Sequence, residues 1–131
     1  MRKGSVERVV ILDANAILRY ILDDIPEQAD KVEEAIRTTS IKVLPEVIAE
    51  VVYVMNKSYD ISRDETSAYV CSFLDDVNCR YDLLVNAVKL FGTKNIDFVD
   101  CLLHEYSKQP DCKIFTFDKK LLNLMKNTSS T

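Results

Sequence analysis

The sequence predicts an α/β domain of three layers, with helices on both faces of a central parallel sheet. Short β-branched runs, Arg8 to Leu12 and Ile41 to Leu44 early and Lys113 to Phe117 late, alternate with longer stretches whose apolar residues recur at helical spacing. Strands separated by helix-length connections pair in parallel through right-handed crossovers. The chain has 131 residues, 47% of them hydrophobic, which supplies one ordinary core and not two. One domain is expected over residues 1–126, followed by a frayed polar tail, 127–131.

Each element has a local reason. Arg8 to Leu12 is a continuous apolar run ending in Asp13, as a buried strand would be. Ile17, Leu18, Ile21 and Leu22 then share one helical face, closed by Asp23, Asp24 and Pro26. Pro26 suits the first turn of a second helix, carried by Ala29, Val32, Ala35 and Ile36, and Ile41 to Leu44 reads as a strand. Pro45 opens a third helix through Met55 that is apolar almost all round. Ser62 with Glu65 resembles a capping box, preceding a helix with Ala68, Tyr69, Phe73 and Leu74. Val77 to Arg80 reads as a short strand, Leu83 to Phe91 as a helix ending near Gly92, and Asp97 to Lys108 as a helix stopped by Pro110. Lys113 to Phe117 is expected to be the last strand, and Leu121 to Leu124 to lie in a short final helix.

Composition excludes several classes of function. The two glycines, Gly4 and Gly92, cannot build a Walker loop or a Rossmann fingerprint. No apolar run approaches the length of a membrane span, and the segment before Asp13 lacks a signal-peptide core, so neither membrane insertion nor export is expected. Cys71, Cys79, Cys101 and Cys112 have neither zinc-pair nor disulfide-scaffold spacing; they read as buried, reduced thiols of a cytoplasmic protein. A net charge of -4 argues against affinity through a broad basic face. With one histidine, His104, a metal would have to be held by carboxylates.

Carboxylates are where the chemistry concentrates. Asp13 and Asp118 each follow a predicted strand directly, where open α/β sheets place ligands, although an Asp there also serves as a helix N-cap. Glu50 sits among Val47, Ile48, Ala49, Val51 and Val52, so its carboxylate is expected to be partly buried, needing a cation or a salt bridge. Asp97 and Asp100, spaced i, i+3, project from one side of a helix start. Hard oxygen donors of this kind suit Mg²⁺ or Mn²⁺ and point to phosphoryl transfer or phosphodiester hydrolysis. An aspartyl-phosphate phosphatase would want a second Asp where Asn15 stands, and a response-regulator receiver an acidic pair at the first strand, so both are disfavoured.

The segments Val9 to Asn15, Pro45 to Met55, Asp97 to Leu103 and Thr116 to Leu121 together resemble the PIN-domain family, particularly its VapC-like toxins, in the right order and over nearly the whole chain. The resemblance implies a PIN-like fold and a metal-dependent ribonuclease acting on single-stranded RNA. It implies Asp13, Glu50, Asp100 and Asp118 as catalytic residues and metal ligands, with Asp97 as an accessory acid. Asn15 and Thr116 match polar positions that would orient the acids or a water by hydrogen bonds. A small antitoxin protein as partner and a homodimer are also implied, with Ile21, Tyr53 and Tyr69 as candidate contacts. Alternatives are a catalytically silent PIN-like scaffold, or an RNA-processing nuclease without an antitoxin. One departure stands out: the third acid's helix continues Cys101, Leu102, Leu103, His104, Glu105, Tyr106, where many relatives carry small residues. His104, one turn beyond Asp100, is a further candidate for the site, and Arg19, Lys57, Lys119 and Lys120 are candidate phosphate contacts. Apart from the four proposed ligands, the chain's formal charges balance, so RNA recognition is expected close to the metal.

Overall fold

A computed structural model describes residues 8–129, with side chains as far as Asn127. The segment read above for export, 1–7, and the end of the expected tail, 130–131, lie outside the described residues. Strand β1 (Val9–Ile11) pairs in parallel with β2 (Ser40–Lys42), Val10 lying opposite Ile41. Helices α1 (Ala14–Leu22) and α2 (Pro26–Thr38) form the connection between them. The remaining helices are α3 (Pro45–Tyr53), α4 (Arg63–Asp76), α5 (Asp82–Thr93), α6 (Phe98–Ser107) and α7 (Lys119–Ser129), with a π-helical turn, Val54–Ser58, continuing α3. This is the α/β/α class expected, mostly helical around a small parallel sheet.

Helix ends follow the local chemistry. Pro26 and Pro45 occupy first-turn positions, where no backbone donor is lost, and Ser62 caps α4 by accepting from Glu65 N. Ser62 Oγ itself donates toward Asp64 and Glu65. With so few glycines, left-handed positions fall to short polar residues: Asp23 (φ 50°), Asp60 (φ 54°) and Asn78 (φ 60°). Asn78 also explains why Val77 to Arg80 is a turn and not the expected strand, since a left-handed residue breaks extended backbone.

The core lies where α3, α4, α5 and α6 meet. Ile48, Val51, Met55, Val70, Leu84, Val88 and Cys101 are fully buried, each apolar side chain contributing about 1.5–3 kcal/mol. Gly92 lies inside α5 and lets it approach α4: a Cβ there would meet Ser67 Cβ at 2.7 Å. Ser67 spends its hydroxyl on Val88 O at 2.9 Å, so the close contact leaves no unpaired donor. Tyr20 donates to Asp76 at 2.7 Å, tying α1 to α4; burial first, and then that carboxylate, push its phenol up to about 12.

Other sequence expectations change. Lys113 to Phe117 is not a strand; Phe115 and Phe117 are 87% and 86% exposed, their rings edge to face at 5.4 Å. The final helix is longer than its apolar core, Leu121 to Leu124, because helical polar residues extend it to Ser129. All four cysteines are free thiols, but only Cys101 is buried; Cys71, Cys79 and Cys112 are half-buried. Among the described residues no helix is long and apolar enough to cross a membrane.

Candidate active site

Asp97 is the N-cap of α6, with extended backbone, yet its carboxylate makes no capping bond and is left for other partners. Asp100 follows in the first turn, half-buried between Phe98 and Cys101. Asp118 precedes α7: its Oδ1 accepts Leu121 N at 3.1 Å, and its backbone N–H donates to Thr116 Oγ1 at 3.0 Å. The structure brings these three acids into one electrostatic neighbourhood. Burial raises the Asp100 carboxyl above the usual carboxylate range, and the charges of Asp118 and then Asp97 raise it further. Thr116 therefore acts on the backbone of Asp118, not on its carboxylate.

Asp13 and Glu50 are placed differently. Asp13 caps α1, its Oδ1 accepting Ala16 N at 2.8 Å, and it is exposed beyond the end of β1. Asn15 is exposed in the same first turn. Glu50 is exposed, contrary to the burial expected from its apolar neighbours. Residues adjacent in sequence lie about 100° apart around a helix. Glu46, Glu50, Tyr53 and Lys57 form the outward stripe of α3 and its π-turn, while Ile48, Val51, Val52 and Met55 take the buried faces.

Beside Asp97 and Asp100 opens a cavity of about 310 Å³. Its walls come from α3 and its π-turn (Ala49, Val52, Tyr53, Asn56, Lys57), from Arg63 and Phe91, and from Phe98 and Val99. Arg63 is fixed there: its guanidinium lies 3.8 Å from the Phe91 ring centre, and it donates to Phe91 O at 3.0 Å and to Ile96 O. Both of these bonds go to carbonyls, so its charge is not neutralised by them. Lys57 had been expected near the site, but Arg63 and Asn56 had not. Their local context reads as an ordinary first turn and an ordinary helix, and only the approach of distant segments brings them to the cavity.

The remaining candidates separate. Arg19 is committed to Asp24 at 3.0 Å and to the Tyr59 hydroxyl. Lys119 and Lys120 are exposed immediately after Asp118. His104 is buried against Glu105, Nδ1 to Oε2 at 3.0 Å, and faces a different cavity with Asn86, Lys89 and Thr93, so it does not reach the Asp100 pocket.

Residues 10–127 match the PIN domain family. The chain belongs to that family. No curated protein and no solved structure matches it in direct comparison. PIN domains are generally nucleases, hydrolases that use divalent metal ions. Among the described residues no three His, Cys, Asp or Glu side chains converge closely enough to ring a metal. The donor set nonetheless fits Mg²⁺ or Mn²⁺ in kind. Such ions take oxygen ligands and are commonly held by one or two carboxylates, with water and substrate phosphate supplying the rest. The mutual repulsion that raises Asp100 is what a bound cation would relieve.

Proposed function

We propose that this PIN domain is a metal-dependent endoribonuclease that hydrolyses phosphodiester bonds of single-stranded RNA, and that it is the toxin of a toxin-antitoxin pair of the VapC-like kind. The observation that carries the nuclease reading is the placement of Asp97 and Asp100 on one cavity with two cationic side chains, Arg63 and Lys57, the charge of Asp118 being close enough to bear on Asp100. In this reading Asp13, Glu50, Asp100 and Asp118 are the catalytic and metal-binding acids, with Asp100 and Asp118 at the centre and Asp97 accessory. One or two Mg²⁺ or Mn²⁺ ions held there would supply an activated water and stabilise the leaving oxygen.

The chain's own residues do the rest. Capping fixes one oxygen each of Asp13 and Asp118, so their carboxylates are held in single orientations with the other oxygen available. Thr116 locks the turn that presents Asp118, and Asn15 orients a water or an acid from the first turn of α1. Lys57 and Arg63 offset negative charge that would otherwise repel the RNA backbone.

The partner in this proposal is a small antitoxin. Ile21 and the exposed Tyr69 share a cavity of about 320 Å³ with Asp23, Asp30, Glu33 and Asp76, a surface that complements a basic amphipathic segment. A homodimer and a cytoplasmic location complete the reading. A short neighbouring open reading frame encoding a DNA-binding protein supports the toxin; its absence favours an RNA-processing nuclease.

The deciding experiment titrates Mn²⁺ in a thermal-shift assay and follows cleavage of mixed single-stranded RNAs. Metal-dependent stabilisation and cleavage, both lost in Asp100→Asn, are expected. No stabilisation and no cleavage would leave a silent scaffold as the better account.

A further inference from the structure

We infer that the cavity between the π-turn of α3 and the start of α6 is a nucleobase pocket, which selects a base carrying an exocyclic amino group next to the bond to be cut. The inference rests on the nuclease reading above for its substrate and shares Lys57, Arg63 and Asp97 with it, but its test is separate.

The cavity has the chemistry of a flat, aromatic and uncharged guest. Its charged side chains balance in sign, Lys57 and Arg63 against Asp97 and Asp100, and the rest of its walls are largely apolar, so the interior suits an uncharged guest better than a phosphate. Tyr53, 65% exposed, places an aromatic ring on its rim. Arg63 contributes a second planar surface. Two of its edge donors are spent on the Phe91 and Ile96 carbonyls and the guanidinium is stacked on Phe91, so it offers the cavity a rigid flat cation. Single-stranded RNA is recognised by bases stacking on aromatic rings and guanidinium planes.

Polar selectivity comes from the π-turn. Such turns occur frequently at functional sites, and this one brings both Asn56 and Lys57 to the cavity. The Asn56 amide donates its Nδ2 to Ile61 O at 2.9 Å, which fixes the side chain and leaves Oδ1 as an acceptor. The Asp97 carboxylate, unused as a cap, is a second acceptor on the same cavity. Two acceptors favour the amino groups of adenine, cytosine or guanine over uracil, which offers a single N–H between two carbonyls.

The test uses the full chain and labelled pentaribonucleotides UUXUU, with X each of the four bases, read by fluorescence anisotropy in EDTA. Binding about tenfold tighter for an amino-bearing X than for U is expected, the scale of one base stacking and pairing. Asn56→Leu, which removes one acceptor, and separately Ala49→Phe, which fills the cavity, should each bring the amino-bearing pentamers down toward the level of UUUUU. Equal binding of all four pentamers by the wild type, or a preference that persists in both folded variants, overturns the pocket. Addition of Mn²⁺ separates the two readings. A base preference without cleavage of any RNA sinks the nuclease and keeps the pocket; cleavage by a protein with no base preference does the reverse.

Discussion

Asp13 is both the cap of α1 and a proposed metal ligand, and two substitutions pull those roles apart. Asparagine caps a helix about as well as aspartate, so Asp13→Asn keeps the bond to Ala16 N, 2.8 Å in the wild type. It loses only the favourable interaction of a negative charge with the helix start, about 0.3–1 kcal/mol at an exposed site. Asp13→Ala loses the cap as well, about 1 kcal/mol more. For a domain of this size each kcal/mol moves the melting temperature by about 4 °C, so about 1–4 °C is expected for Asn and about 5–8 °C for Ala. Cleavage should behave otherwise, falling roughly a hundredfold or more in both, because neither replacement restores an anionic ligand. The assays are circular-dichroism melts and hydrolysis of a fluorophore-quencher RNA in Mn²⁺. Cleavage surviving in Asp13→Asn would refute the catalytic role, and identical melts for the two variants would refute the capping argument.

Three other substitutions or labels follow from single features. Gly92→Ala gains about 1 kcal/mol of helix propensity but forces α5 against Ser67 and disturbs its bond to Val88, for a net loss of about 1–2 kcal/mol in urea denaturation. Adding Ser67→Gly should recover part of that, and strictly additive effects would count against a direct clash. For Asp100, the metal-free folded protein holds the proton more tightly than the unfolded chain. The group therefore costs nothing below the ordinary value of 3.8 and becomes destabilising as pH rises through the raised folded value. Asp100→Asn should melt higher than wild type near neutrality, with the gap closing toward acid; a gap constant with pH would contradict the shift. Burial pushes the Cys101 thiol up to about 12, so a brief iodoacetamide pulse at pH 8 followed by mass spectrometry should leave it unlabelled until the protein unfolds.

What the sequence disclosed was governed by how local each cause is. The prolines at 26 and 45, the Ser62 cap and the Asp13 cap act within one turn, and each helix start lies at or within a residue of where those signals put it. Asp97 and Asp100 were legible as a pair because i, i+3 spacing is itself geometry. Glu50 misled because apolar neighbours along the chain say nothing about which side of the helix faces inward until the packing partners α1 and α6 are in place. Ile114, Phe115 and Phe117 have strand propensity, but propensity of that kind is realised only against a neighbour. Arg63 carries no motif; its place on the cavity wall is set by Phe91 and Ile96, some thirty residues away.

The π-turn at Val54–Ser58 has a consequence for how this helix tolerates change in length. A π-turn is in effect an α-helix carrying one residue too many, held by a wider loop such as Tyr59 N to Val54 O at 3.1 Å. Deleting a single residue there would let the helix close into regular geometry, a change that backbone hydrogen bonding alone would welcome. Because the wide loop absorbs the extra residue, everything downstream would keep its register, and the change would fall on the turn itself, moving the amide at position 56 relative to the cavity wall. A one-residue deletion in this stretch should therefore be structurally mild and functionally severe, the opposite of what is expected for a deletion in the middle of a packed helix.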